Sequence, residues 1–184
     1  MAALIGGKDM RSGGGRVKGH AFENEIAKLL AEWSNIPWKR VPMSGGWSAK
    51  NIASGDIFCT AEFDKKSPKI VPISIEIKKV QSWEFVHFFK DTDSSPIGSW
   101  WAQSTKDAIK AKKTPIVIFT KNYFPIFIIL RVATLNKLDE LVAERGIWKE
   151  FTRINCTVAG EFLIVIKLED FLAWINFDTL LKLT

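Results

Sequence analysis

The apolar residues of this chain follow two different periods. From His20 to Trp33, Phe22, Ile26, Leu29, Leu30 and Trp33 recur at helical spacing, with Glu25, Lys28 and Glu32 turned outward, which predicts an amphipathic helix. Between Ile70 and Val80 the period becomes two: Val71, Ile73, Ile75 and Ile77 share one face of a predicted strand, and Glu76 and Lys78 stand on the other. A shorter strand is expected within Ile52 to Glu62, and a polar turn at Asp64 to Pro68 separates the two. Further on, Trp83 to Phe89 reads as a short helix and Trp100 to Lys112 as a longer one, leading into the apolar strand Pro115 to Thr120. Asn122-Tyr123 makes a turn before a strand from Phe124 to Val132. Leu135 to Glu144 is helical with Gly146 as its stop, Phe162 to Ile166 a buried strand, and Leu168 to Leu181 a final apolar-faced helix.

The resulting order, α-β-β-α-β-β-α-β-α, predicts an α/β fold in which a mixed central sheet is flanked by helices. Asn35 to Lys50 reads as a turn-rich connection containing Pro37, Pro42 and Ser44-Gly45-Gly46. Residues 1–18, with Gly6-Gly7, Gly13-Gly14-Gly15 and four basic side chains, read as a flexible basic arm, or equally as a frayed terminus. Residues 19–184 then form one domain, long enough for a continuous core.

Composition narrows this picture. Apolar residues make up 47% of the chain, with thirteen Phe and eight Trp, which excludes a largely disordered protein. The formal charge of +6, from 26 basic and 20 acidic residues, favours a polyanionic partner without requiring one. Cys59 and Cys156 form no CxxC pair and read as two free thiols in a reducing compartment, with a single disulfide as the alternative. Two histidines offer zinc few of its usual ligands. The longest apolar run, Phe124 to Leu130, is too short to span a bilayer, so a soluble cytoplasmic protein is expected.

The chemistry concentrates at Asp56 and at Glu76-Ile77-Lys78. Two carboxylates and a lysine brought together make a site for a hard divalent cation beside a phosphate, a combination that points to phosphodiester cleavage. Taken alone, Glu76 and Lys78 read rather as the wet face of a strand. The basic group Lys106, Lys110, Lys112 and Lys113 is either a phosphate track or the solvated side of a helix. Trp47, Trp83, Trp100 and Trp101 are candidate stacking or wedge surfaces, although most of the eight tryptophans are expected in the core.

An ordered series of motifs resembles the PD-(D/E)XK nuclease superfamily, and within it the phage and archaeal-type Holliday junction resolvase-like endonucleases. The series runs Lys18-Gly19-His20-Ala21-Phe22-Glu23, Arg40-Val41-Pro42-Met43-Ser44-Gly45-Gly46-Trp47, Gly55-Asp56-Ile57, Ile75-Glu76-Ile77-Lys78-Lys79, Trp100-Trp101-Ala102-Gln103, and Pro115 to Asn122. It covers residues 18 to 131, and departs from the family pattern in carrying Gly55 where a proline usually precedes the aspartate.

The resemblance implies a restriction-endonuclease-like core and a Mg²⁺ site, with Mn²⁺ as a possible substitute. Asp56, Glu76, the carbonyl of Ile77 and, through water, Glu23 would hold the ion. Lys78 would orient water or balance phosphate charge, and Gln103 would support the site or a phosphate. Arg40, Ser44, Gly45 and Gly46 are implied as substrate-positioning residues, with Lys79, Lys106 and Lys110 as further phosphate contacts. The implied activity is endonucleolytic cleavage of DNA, leaving a 5′-phosphate. A homodimer acting on four-way junctions, in a cytoplasm or in a phage-infected host's cytoplasm, is the narrowest form of that expectation. A flap, linear-duplex or restriction-like enzyme shares the same chemistry, and a noncatalytic DNA-binding protein shares the scaffold.

Overall fold

The computed structural model describes residues 14–42, 53–81, 83–84, 86, 95–144 and 150–183, with side chains from Gly19 onward. Helix α1, Gly14–Ser34, begins inside the segment expected to be an arm; the residues before it lie outside the described part. Seven strands follow: β1 Trp38–Arg40, β2 Ile57–Cys59, β3 Ile73–Val80, β4 Thr114–Lys121, β5 Phe127–Arg131, β6 Arg153–Val158 and β7 Glu161–Lys167. The other helices are α2 Pro96–Ala111, α3 Val132–Ala143, α4 Leu168–Trp174 and α5 Phe177–Leu180, and a 3-10 turn covers Thr60–Phe63.

The strands form one sheet in the order β1-β2-β3-β4-β5-β7-β6. Only β3 and β4 run parallel, joined by the crossover through α2; the remaining pairs are antiparallel. This is an α/β fold with a mixed central sheet flanked by helices, the layering of a restriction-endonuclease-like core.

Alternation along the strands sends side chains into two cores. Ile73, Ile75, Ile77, Ile116, Ile118, Ile128 and Leu130 pack with Phe22, Ile26 and Leu30 of α1, Leu135 and Leu138 of α3, and Phe171 of α4. On the other face, Val117, Phe119, Phe127, Ile129 and Val165 meet Ile97, Trp100 and Trp101 of α2 together with Trp83. Trp83, Trp100 and Trp101 are thus core side chains, the reading expected for most of the tryptophans, and not a stacking surface; Trp47 lies outside the described residues. Cys59 and Cys156 belong to opposite cores, which excludes a disulfide between them, and burial pushes both thiols up, that of Cys156 to about 11.

Several expected boundaries move for identifiable reasons. Helix α2 starts at Pro96 because Ser95 caps it, its hydroxyl accepting from the Gly98 N–H at 3.1 Å, with proline at the first helical position. The last helix breaks at Ile175, whose carbonyl accepts from the Trp33 indole at 2.8 Å, while Asn176 caps the next turn through Thr179 N–H at 2.8 Å. Two strands absent from the expected order are present. Strand β1 follows Pro37, and β6 pairs with β7 across a two-residue turn in which Ala159 (φ 50°) and Gly160 (φ 76°) are both left-handed. Strand β5 begins at Phe127, after a turn in which the Phe124 N–H donates to the Lys121 carbonyl at 3.2 Å and Tyr123 holds a φ of 62°. The expected helix at Trp83 to Phe89 and the stop at Gly146 fall largely on residues outside the described part. Among the described residues no helix is long and apolar enough to cross a membrane.

Gly55 explains the departure from the proline of the family pattern. Its φ is +76°, and a Cβ there would lie 2.2 Å from the carbonyl oxygen of Ile75. Proline, held near a φ of about −65°, cannot take this conformation. Replacing Gly55 by alanine is expected to destabilise the protein by about 2 kcal/mol or more, from the left-handed backbone and a clash with main chain. A denaturant midpoint equal to that of the unsubstituted protein would contradict this account of the turn.

Candidate active site

Asp56 enters the site through its backbone. Its N–H donates to Ile75 O at 2.8 Å and its own carbonyl accepts from Val41 N–H at 2.8 Å, so both neighbours clamp it. Strand β2 pairs with β3 only at Ile57 and Ile75, and leaves the sheet edge before Ile77. The carboxylate then takes the place of a strand: Oδ2 accepts from Ile77 N–H at 2.6 Å. Because N–H and C=O of one residue leave an extended strand on the same edge, the Ile77 carbonyl faces this edge too.

Glu76 and Lys78 point to the opposite face of β3 from Ile75 and Ile77, toward α2. The Glu76 residue is 1% exposed, although it lies on the face the sequence gives to polar residues, because α2 covers it. Lys78 sits against Glu76 Oε1 as an ion pair, yet that oxygen lacks a partner in hydrogen-bond geometry. Lys78 Nζ also donates to Gln103 Oε1 at 3.2 Å, which steadies the ammonium from the helix side.

The electrostatics follow from this crowding. Burial is the main influence raising the Glu76 carboxyl, to about 7, and Asp56 and Asp107 raise it further against the pull of Lys78. Asp56 is raised as well, first by burial; the Ile77 N–H and Lys78 oppose this, while Glu23 and Asp107 add to it. Two desolvated carboxylates, both raised chiefly by burial, have the donor chemistry of a site for a hard cation. Among the described residues no group of three or more His, Cys, Asp or Glu side chains is arranged to hold a metal ion. The oxygen donors at this point are two carboxylates and a main-chain carbonyl.

Glu23, on α1, influences Asp56 but is itself engaged by Arg40 of β1, Nε to Oε2 at 2.6 Å. Arg40, expected at a phosphate, thus has an internal partner. Ser44, Gly45 and Gly46 lie outside the described residues. Lys79 points to the α1 side of the sheet, its ammonium 5.2 Å from the centre of the Phe22 ring. Lys106 and Lys110 are exposed on α2 and share a face with Gln103 by helical spacing; Lys110 pairs with Asp107 at 3.8 Å. Asp107 is the site residue that sequence reasoning missed. Its position one helical turn beyond Gln103 was the available signal.

Comparison with known proteins gives the family of the chain. Residues 14–182 match the family described as "Phage putative PDDEXK endonuclease". Protein D14 of Escherichia phage T5 is 25% identical over 107 residues, which cover 58% of this chain and 64% of that protein, so the chain spans less than two thirds of that relative's length. No solved structure matches the chain.

Proposed function

We propose that this chain, which belongs to the phage PD-(D/E)XK endonuclease family, is a Mg²⁺-dependent endodeoxyribonuclease selective for branched DNA. The observation that carries the reading is the buried pair Asp56 and Glu76, both carboxyls raised chiefly by burial, beside the ammonium of Lys78. Neither carboxylate has a compensating cation other than Lys78 among the described residues, and a divalent ion supplies one.

Asp56, Glu76 and the Ile77 carbonyl would hold Mg²⁺, with Glu23 reaching it through water; Mn²⁺ accepts the same oxygen donors. When bound, the ion supplies charge for the phosphate and acidity for an attacking water. The chain's own groups do the rest. Lys78, positioned by Gln103 and Glu76, presents an ammonium to a phosphate oxygen or to the attacking water. Asp56 is oriented by three hydrogen bonds with main-chain groups, so its free oxygen has a set direction when this sheet edge is closed. Arg40 restrains Glu23. Lys106 and Lys110 extend the positive surface along the exposed face of α2 as a track for the DNA backbone.

The narrower reading is a Holliday junction resolvase, in which two copies cut symmetry-related strands. End-labelled four-way junctions, flaps and matched duplexes, incubated with Mg²⁺ or EDTA, test both levels. Mg²⁺-dependent cleavage that vanishes in D56A/E76A is the expected result, and paired symmetric cuts in the junction identify a resolvase. Cleavage of flaps or duplex in preference to junctions keeps the nuclease and removes the resolvase. Binding without cleavage by folded protein overturns the enzyme assignment.

A further inference from the structure

The cleft on the other side of the β3 terminus has no part in the chemistry above. It measures about 480 Å³ and lies between α1 and the β4–β5 turn, with Lys79, Thr120, Lys121, Tyr123 and Phe124 in its walls and Glu25 as its one carboxylate among the described residues. That volume is within the range of small-ligand sites. Its polar wall is ordered: Lys121 Nζ donates to Trp83 O at 3.0 Å and stands 4.1 Å from the centre of the Phe124 ring. Lys79 makes no ion pair among the described residues.

Tyr123 is the anomaly of this cleft. It is the chain's one tyrosine, it is fully exposed (105%), and it occupies a left-handed turn position that glycine or asparagine fills without strain. Burial returns nothing for a large aromatic placed there, so its use lies with something outside the chain. The cleft is linked to the candidate active site through the chain: Lys79 follows Lys78 on β3, on the opposite face of the sheet, and Phe22 precedes Glu23 on α1.

We propose that this cleft receives an unpaired nucleotide of the DNA substrate next to the cleaved phosphate, its base stacking on Tyr123 and its phosphate on Lys79. The inference rests on the nuclease reading and supplies its substrate class, DNA with a single-stranded element at the cut. A π-face and adjacent cations are the chemistry that holds an unpaired base without regard to sequence. A base inside an intact duplex has no free face to offer Tyr123.

The test is a binding titration in EDTA, where nothing is cut. The probes are a forked DNA carrying 2-aminopurine at the first unpaired position and a matched duplex carrying it internally. The full-length chain is expected to quench the forked probe and not the duplex. Tyr123→Phe and Tyr123→Trp retain the quench, whereas Tyr123→Gly loses it and weakens fork binding about tenfold. Because glycine suits the turn, Tyr123→Gly keeps an equal or higher melting temperature, which excludes misfolding as the cause. Lys79→Gln weakens binding and lowers its salt dependence by about one phosphate contact. A Tyr123→Gly protein that binds and quenches the fork as the unsubstituted chain does overturns the proposal, even if Mg²⁺-dependent cleavage is intact. A quench lost in Tyr123→Gly, from a chain that cuts no DNA with Mg²⁺, retains the cleft and overturns the nuclease reading.

Discussion

Glu76→Gln is expected to abolish DNA cleavage while making the metal-free protein more stable at alkaline pH. Glutamine preserves the shape of a side chain that is 1% exposed and removes its charge. The fold holds the Glu76 carboxyl at about 7, against the ordinary value of 4.5, chiefly by desolvation. A carboxyl raised in this way contributes stability that is complete below its unfolded value and is lost as pH rises through its folded value. The native state therefore binds the extra proton between about 4.5 and about 7, and stability falls across that window by on the order of 3 kcal/mol. Glu76→Gln removes this slope. In EDTA, urea midpoints measured from pH 5 to pH 8.5 should decline more steeply for the parent chain than for the variant, which keeps only the slope of the raised Asp56 carboxyl. Cleavage should drop by about a thousandfold or more, the scale of charge stabilisation at a metal-assisted phosphate centre. Parallel pH profiles for the two proteins would mean that Glu76 is solvated and not the buried acid described above.

Asp56 separates two roles that Glu76 does not. Its Oδ2 serves as the acceptor for Ile77 N–H, in place of a missing neighbouring strand, and its charge serves the site. Asp56→Asn keeps an acceptor and loses the charge; Asp56→Ala loses both and leaves a strand N–H without a partner. Both variants should lose cleavage to a similar extent as Glu76→Gln. Asp56→Ala should in addition be less stable than Asp56→Asn by about 1–3 kcal/mol, the cost of an unsatisfied buried donor. Equal unfolding free energies for the two variants would show that the edge at Ile77 is satisfied by water. Retained cleavage in either would remove Asp56 from the site.

The elements legible in the sequence were those whose own side chains announce them. Strand β3 could be read from the alternation of Ile73, Ile75 and Ile77, and α1 from the stripe of Phe22, Ile26 and Leu30, because each pattern matches one period and one buried face. Strand β1 carries no such pattern: Trp38–Arg40 is a strand because Ile57–Cys59 lies beside it, a fact that depends on the fold. Strand β6 does carry one, with Ile154, Cys156 and Val158 alternating before the Ala159-Gly160 turn, although the expected order does not include it. At the site, the resemblance placed Asp56, Glu76, Lys78 and Gln103 in one set, and the structure brings them together. The Arg40–Glu23 pair could not be foreseen, since nothing local to either residue specifies an ion pair across seventeen positions. Nor could the depth of Glu76, which depends on α2 covering a face that reads as polar.

The two carboxylates are carried by elements of very different depth in the sheet. Glu76 sits within an eight-residue strand with neighbours on both sides, whereas Asp56 is attached to the outermost pair, two strands of three residues each. Short edge pairs open by local fluctuation well before the centre of a sheet does. The site therefore works as a clasp with one fixed jaw and one hinged jaw. A ligand bridging the two draws the outer strands into the cooperative unit of the inner ones, and slows amide exchange at Val41 and Asp56 more than at Val117 or Ile129. Assembly of the candidate site and completion of the fold at this edge are then a single event.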